Sequence, residues 1–376
     1  MTSAKRVAFY APIKPPDHPI PSGDRLIARN LVKALGLANC DVQLASSFIA
    51  YSKRSDPAIL ASRKMDALSA ADRLVAQYEA TPNALLPEIW ITYHPYCKAP
   101  DWIGPRVSKV LGIPYVTIEA ARTGQGDETD PWKPWRKEAQ EGILAADLHL
   151  VFKPSDRAYL TGLLGSDKKL IDFPTFVDLE DLTGKQTHAL PTHWAADTPV
   201  LITTGMMRKG KKDRNFYMLA EVLSRITESD WNLIIVGGGP EEAAIRNAYG
   251  AIPEQRIHWT GQVEHTDVLE WMRAADIFIW PGWKEPIGMV YLEAQVQGLP
   301  VIAYDSMGVP LVVTHGETGL LAPEGDDDGL RDNLIQLLND KSLRTRLGKA
   351  AQASVLSRHS LEAAAKRLQQ LVSKLV

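Results

Sequence analysis

At about 150 residues per domain, a chain of 376 residues predicts two domains. Hydrophobic residues at 45% and charged residues at 23% exclude a disordered, collagenous or low-complexity chain. With 42 Lys and Arg against 45 Asp and Glu, the formal charge of -3 excludes the broad basic field that collects nucleic acid. Two cysteines, Cys40 and Cys97, provide neither a disulfide framework nor a zinc site, which fits a reducing compartment. The opening run MTSAKRVAFYAP lacks the apolar stretch of a signal peptide, and no apolar run reaches about eighteen residues. The expectation is a cytoplasmic protein with no transmembrane segment and no nucleic-acid partner.

Short apolar runs alternate with amphipathic segments along the whole chain, the pattern of parallel α/β architecture. In the first half strands are predicted at Arg6–Tyr10, Val42–Ala45, Glu88–Tyr93, Pro114–Glu119, Leu148–Phe152 and Lys169–Phe173. Helical spacing of Leu26, Ile27, Leu31, Val32 and Leu35 predicts a helix over Asp24–Leu35, and a longer one is predicted over Ala58–Tyr78. A second series begins after Pro174–Asp178, with strands at Val200–Thr204, Asn232–Val236, Arg256–Thr260, Ile277–Trp280 and Val301–Tyr304. A helix is expected over Phe216–Ile226, and the tail from Asp327 to Val376 reads as helical throughout. The predicted domains are 1–177, 178–356 and a final helix, 357–376, free to pack back on the first.

Ligands of open α/β sheets bind outside the carboxyl ends of the strands, so the loops after strands are where chemistry is sought. The strongest candidate follows Trp280. A Gly/Pro loop leads to Glu285, then to Pro286 at an expected first helical position, then to a helix ending at Gly298. Unpaired N–H groups of Ile287, Gly288 and Met289 at such a helix start form an anion seat. Glu293 would stand about 12 Å of helical rise beyond Glu285. Two carboxylates flanking an anion seat suit a molecule with hydroxyls at each end and phosphate between, the layout of a nucleoside diphosphate sugar. Taken singly, Glu285 also reads as a charge complementing a helix dipole and Glu293 as a solvated helix residue.

Directly after the first strand of the second half, Arg208, Lys209, Lys211, Lys212 and Arg214 crowd a loop that begins at Gly205. Such a cluster neutralises a diphosphate or is a solvated basic loop, and spacing does not decide which residues point inward. Gly237-Gly238-Gly239-Pro240 forms a tight strand-to-helix turn, and it lacks the acidic residue of a nicotinamide-dinucleotide fingerprint. Pro21-Ser22-Gly23-Asp24 is a helix start that either caps the helix or faces a cleft. His94 follows a strand as general base, acceptor contact or partly buried loop residue. Glu119 ends a strand, where it either touches substrate or pairs with Arg122. Trp132 and Trp135 either stack on a sugar or tether their loop, and the loop leaves room for peripheral membrane contact at the inner face.

In the second half the order and spacing of three segments, Glu285-Pro-Ile-Gly-Met-Val-Tyr-Leu-Glu293-Ala, Gly298-Leu-Pro-Val-Ile-Ala and His315-Gly-Glu-Thr-Gly-Leu-Leu, resemble the family 4 glycosyltransferases. A weaker likeness runs through the first half at Gly23 and Ala146-Asp147. The resemblance implies the GT-B fold, two Rossmann-like α/β domains facing across a cleft, with donor bound by the second and acceptor by the first. It implies that Glu285 contacts the donor sugar, Glu293 the ribose, and the backbone of Ile287, Gly288 and Met289 the sugar and phosphates. Arg208 and Lys212 would neutralise the diphosphate, while Gly237, Gln262 and Val263 border the nucleobase. The sequence departs from the family at Met206, where Arg commonly follows the glycine, at Glu119, where His commonly closes the strand, and at Leu311, where an acidic residue is common.

The expected activity is retaining transfer of a hexose-type sugar from a UDP- or GDP-linked donor to a hydroxyl of a glycan, lipid-linked or small-molecule acceptor. Glu285, Arg208, Lys212, Glu119 and His94 are the catalytic candidates, and Glu293, Gly288, Ile287, Met289, Gly23, Gly205, Gly237, Gln262 and Val263 the donor-binding ones. No Asp-x-Asp motif calls for a metal, and no cofactor beyond the donor is implied. An epimerase or hydrolase acting on the donor alone and a non-catalytic sugar-nucleotide-binding module are the alternatives.

Overall fold

The computed structural model describes residues 3–20, 22–120, 129–180, 182, 184 and 186–376. The chain forms two compact units, Met1–Pro174 together with Leu361–Val376, and Thr175–Ser360. The chain therefore passes between units after Pro174 and after Ser360, rather than at the expected 177 and 356.

In the first unit the elements run β1 (Lys5–Tyr10), α1 (Gly23–Leu37), β2 (Cys40–Ser46), α2 (Pro57–Glu79), β3 (Ile89–Tyr93), α3 (Ile103–Leu111), β4 (Tyr115–Ile118), α4 (Lys133–Leu144), β5 (Leu148–Val151), α5 (Pro154–Leu164) and β6 (Leu170–Asp172). The strands form one sheet in the order β2-β1-β3-β4-β5-β6, and every neighbouring pair is parallel. All residues of β3 and β4 are buried, as a parallel sheet covered on both faces requires. Ser22 caps α1 by accepting from the Arg25 N–H, which settles one reading of the Ser22-Gly23-Asp24 start. Helix α12 (Leu361–Leu375) belongs to this unit and packs on α1. Its stripe of Leu361, Ala364, Ala365, Leu368, Leu371 and Val372 is buried, as are Ala28, Leu31, Ala34 and Leu35 of α1.

The second unit contains β7 (Val200–Thr204), α6 (Lys211–Ser224), β8 (Asn232–Val236), α7 (Glu242–Ala248), β9 (Ile257–Gly261), α8 (His265–Arg273), β10 (Ile277–Ile279), α9 (Met289–Val296), β11 (Val301–Asp305), β12 (Gly319–Pro323), α10 (Asp327–Asn339) and α11 (Lys341–Ser354). The sheet order is β12-β11-β10-β7-β8-β9, again parallel throughout. The fold class is thus the expected one, two Rossmann-like α/β units of the GT-B type. No helix among the described residues is long and apolar enough to cross a membrane.

Four local expectations need correction. Helix α6 starts at Lys211, not Phe216, so Lys211, Lys212 and Arg214 lie in its first turn. Helix α9 starts at Met289, not Pro286, because Gly288 takes the left-handed conformation at φ 79° that ends any helix extended backwards. The tail is not one continuous helix. Asp340 is extended and accepts from the Leu343 N–H to start α11, and a π-helical turn, Val355–His359, precedes the second break at Ser360. Strand β12 is an addition to the predicted set.

Candidate nucleotide-binding site

In the second unit the order in which strands are added reverses between β7 and β10, so the carboxyl ends of these two strands form its switch point. The loops after β7 and β8 are laced together by backbone hydrogen bonds. The Gly205 N–H donates to the Val236 carbonyl at 3.1 Å, Met207 to Gly238 at 3.0 Å and Gly237 to Gly261 at 3.0 Å. This close approach needs glycine. A Cβ on Gly237, which has φ 130°, would overlap the Gly205 carbonyl oxygen, and one on Gly239 would overlap that of Met207.

The lacing leaves a cavity of about 820 Å³ beside the strand ends. Gly205, Arg208, Lys212, Gly237, Gln262, Val263 and Glu293 all line it. Its walls also contain Met206, Met207, Pro240, Val268 and Val290, an apolar lining able to hold a flat ring.

Of the five clustered basic residues, Arg208 and Lys212 reach this cavity. Arg214 instead lies 4.0 Å over the Trp283 ring, and the Lys211 ammonium donates to the Lys284 carbonyl at 3.3 Å. Lysines in the first turn of a helix oppose its dipole, at a cost of tenths of a kcal/mol each. Arg208 and Lys212 nevertheless concentrate positive potential at the cavity, where an anion would sit. Lys212 is held in place by Glu285, Nζ to Oε2 at 3.1 Å, with both side chains largely buried, and by the Trp280 ring 5.5 Å away.

Glu285 is not on α9, so the helical rise expected between it and Glu293 does not apply. It stands in the loop after β10, its carbonyl accepting from the Gly308 N–H at 2.9 Å. Glu285, Ile287, Gly288 and Met289 lie beside the cavity rather than in its wall, and the Lys212–Glu285 pair joins them to it. Gly288 is crowded by Tyr291 and Val312, so neither its φ nor its lack of a side chain is dispensable. Glu293, on α9, approaches His265 at 3.2 Å, Oε1 to Nε2. His265 lines the same cavity and was not among the expected residues, since one histidine at a helix start carries no distinguishing pattern.

The remaining candidates lie in the first unit, whose switch point falls between β1 and β3. His94 and Glu119 sit at the ends of β3 and β4 with φ of 58° and 54°, unusual for residues with a Cβ. His94 Nδ1 meets Asp24 Oδ1 at 3.0 Å, and its ring stacks on Tyr96 at 5.3 Å. Asp24 directly follows Gly23 at the start of α1. Burial works against protonating His94, but Glu119 and Asp24 outweigh it and raise its pKa above the usual histidine value. The hydrogen bond to His94 lowers the Asp24 pKa despite partial burial.

Glu119 is buried, 1% exposed. It accepts from Lys153 at 2.8 Å and from the Tyr93 hydroxyl at 3.1 Å. Lys153 also pairs with Asp156, and these two carboxylates raise its pKa against the opposing effect of burial. The expected alternative partner, Arg122, lies outside the described residues. Trp135 is fully buried against Trp102 and Trp132, and the Lys98 ammonium covers Trp132 at 4.9 Å. The two rings therefore anchor their loop, and stacking of Trp135 on a sugar is excluded by its burial.

Residues 192–354 match the family described as Glycosyl transferases group 1. The match lies wholly within the second unit, which is thus similar to the group 1 glycosyltransferases. Among curated relatives, the chain is 36% identical over 180 residues to the GDP-mannose-dependent monoacylated alpha-(1-6)-phosphatidylinositol monomannoside mannosyltransferase of Corynebacterium glutamicum, covering 46% of each chain. It is 34% identical over 157 residues to the N-acetyl-alpha-D-glucosaminyl L-malate synthase of Bacillus anthracis, covering 42% of this chain and 40% of the relative. The chain thus spans under half the length of each of these two glycosyltransferase relatives. A solved structure of Anabaena HepE in complex with UDP superposes with a TM-score of 0.65 at 16% identity, over 99% of this chain and 100% of that one. At that identity the likeness is one of fold, and it shows the GT-B fold over the whole chain.

Proposed function

We propose that this protein transfers a hexose-type sugar from a nucleoside diphosphate sugar to an acceptor hydroxyl with retention of configuration. The observation that carries the reading is the cavity at the ends of β7–β9, lined by Arg208, Lys212 and Glu293 together with apolar residues. The nucleobase would lie between Pro240, Gln262 and Val263, and Glu293 would accept from the ribose hydroxyls. Arg208, Lys212 and the backbone N–H groups of Ile287, Gly288 and Met289 would stabilise the diphosphate as it leaves, electrostatic help placed where charge develops.

In this arrangement Glu285 has two tasks. Its carboxylate orients Lys212, and its other oxygen accepts from a donor-sugar hydroxyl. With the positive charge supplied by side chains, attack of the acceptor on the face from which the diphosphate departs is the route favoured. The departing phosphate oxygen then takes the acceptor proton. His94 and Asp24, at the switch point of the first unit, would contact the acceptor. Glu119 is spent on Lys153 and Tyr93, so its part is to position that switch point rather than to touch substrate. The similar Anabaena structure holds UDP, and the Corynebacterium relative is named as GDP-mannose-dependent; either base fits a pocket formed by backbone and apolar groups.

A thermal-shift series with UDP, GDP, ADP and the corresponding monophosphates tests the site, followed by donor turnover with the stabilising nucleotide's sugars. One diphosphate should raise the melting temperature of the wild-type protein, and Arg208→Ala should remove most of that shift. Equal shifts in wild type and Arg208→Ala would overturn the placement of the diphosphate. Nucleotide binding without donor consumption across glycan, lipid-linked and small-molecule acceptors would favour a binding module instead.

A further inference from the structure

Helix α8 has two chemically distinct faces. His265 and Val268 line the nucleotide cavity, whereas Asp267 and Glu270, three residues apart and so one above the other, lie about half a turn round the helix. Against that second face comes His188, from the stretch of chain that leads into β7. The His188 ring rests on Trp271, centroids 4.4 Å apart and planes inclined by 25°, which fixes the direction of its Nε2.

Nε2 of His188 lies 3.5 Å from Asp267 Oδ1 and 3.5 Å from Glu270 Oε2. Both separations exceed the 2.7–3.2 Å range of an N–H···O hydrogen bond, and this enclosed nitrogen has no hydrogen-bond partner among the described residues. The three ligand atoms lie within 4.8 Å of one another. Bonds of about 2.0–2.2 Å to a tetrahedral ion put neighbouring ligand atoms about 3.4 Å apart, the separation found here on both sides of the imidazole. One neutral imidazole and two carboxylates also balance a divalent charge, and this donor set suits zinc-like ions better than soft cuprous or large calcium ions.

We propose that His188, Asp267 and Glu270 bind one divalent transition-metal ion, with water completing a tetrahedral shell. Because the triad faces away from the nucleotide cavity, the ion's task is structural. It pins the chain entering β7 to the back of α8, whose front supplies His265 and Val268 to the cavity.

The test is a cobalt titration of the untagged, chelator-treated full-length protein, followed by displacement with zinc. One equivalent of cobalt should give the visible absorption of a four-coordinate ion, and zinc should abolish it and raise the melting temperature. His188→Ala and Glu270→Gln should each lose the absorption and the zinc-dependent shift. Glu270→Gln serves if His188→Ala fails to fold, since it changes one oxygen on a helix surface. No saturable cobalt uptake, or uptake unchanged in either variant, overturns the site and leaves the triad as an imidazole packed between two carboxylates.

Discussion

The two units share a six-stranded parallel sheet but treat their switch points in opposite ways. In the second unit the strand ends are occupied by glycine, at Gly205, Gly237 and Gly261, and backbone closes on backbone to leave a cavity edged by Arg208 and Lys212. In the first unit His94 and Glu119, directly after β3 and β4, stand in the left-handed backbone region at φ 58° and 54°, and their side chains are bonded to Asp24, Lys153 and Tyr93. At one switch point Arg208 and Lys212 line an open cavity, Lys212 being paired with Glu285 as well, while at the other the charges are bonded to neighbouring loops. Strand order therefore locates a site without deciding what the site does; that depends on whether the polar groups there already have partners.

The contrast yields graded expectations. Arg208→Ala and Glu285→Gln should lower turnover most, about 100- to 1000-fold each, measured as initial rates at saturating donor; wild-type rates in both would mean that the cavity is not where the diphosphate departs. Next comes Glu119→Ala, which strands the Lys153 ammonium beside Asp156 alone and should cost about 3 kcal/mol, read from denaturant midpoints. An unchanged midpoint would show that the first switch point is not held by this pair. Gly237→Ala should cost about 2 kcal/mol or more, through a forced backbone conformation and overlap with the Gly205 carbonyl, and should weaken nucleotide binding as well.

The smallest effect concerns pH. The raised pKa of His94 contributes stability that is complete below its unfolded value of 6.5 and is lost as pH rises through the folded value. The lowered pKa of Asp24 contributes stability present above its unfolded value of 3.8 and lost as pH falls through the folded value. The pair should thus be strongest between those two unfolded values. Asp24→Asn should lower the His94 titration midpoint followed by proton NMR; an unshifted midpoint would leave Glu119 as the sole cause.

What the sequence disclosed was what depends on local pattern. Apolar runs gave β7 and β8 their full extents, and glycine, proline and basic residues after strands marked the loops that line the cavity. Properties set by distant partners were not legible. Helix α9 begins three residues late because Gly288 must clear Tyr291 and Val312, neither of which its own spacing reveals. Helix α6 begins early, over residues whose charges oppose a helix start, because Asp213 accepts from the Gly210 N–H and Glu285 offsets Lys212 from a different loop. Lys153 is separated from Glu119 by 34 positions, and His265 from Glu293 by 28, so neither pairing leaves a spacing to read. Strand β12, Gly-Leu-Leu-Ala-Pro, begins and ends on turn-forming residues, which hide it in the loop before it.

The return of α12 to the first unit bears on the order in which the protein is made. During synthesis the second unit has all of its residues once Ser360 has emerged, and Val177 can then pair with His359 and Ser360. The first unit, although begun earlier, must wait with the apolar face of α1 uncovered until Leu361–Leu375 arrives. Shortening the chain at Ser360 should therefore leave a sound second unit and a first unit that aggregates, an asymmetry that a ribosome-release or limited-proteolysis experiment would detect.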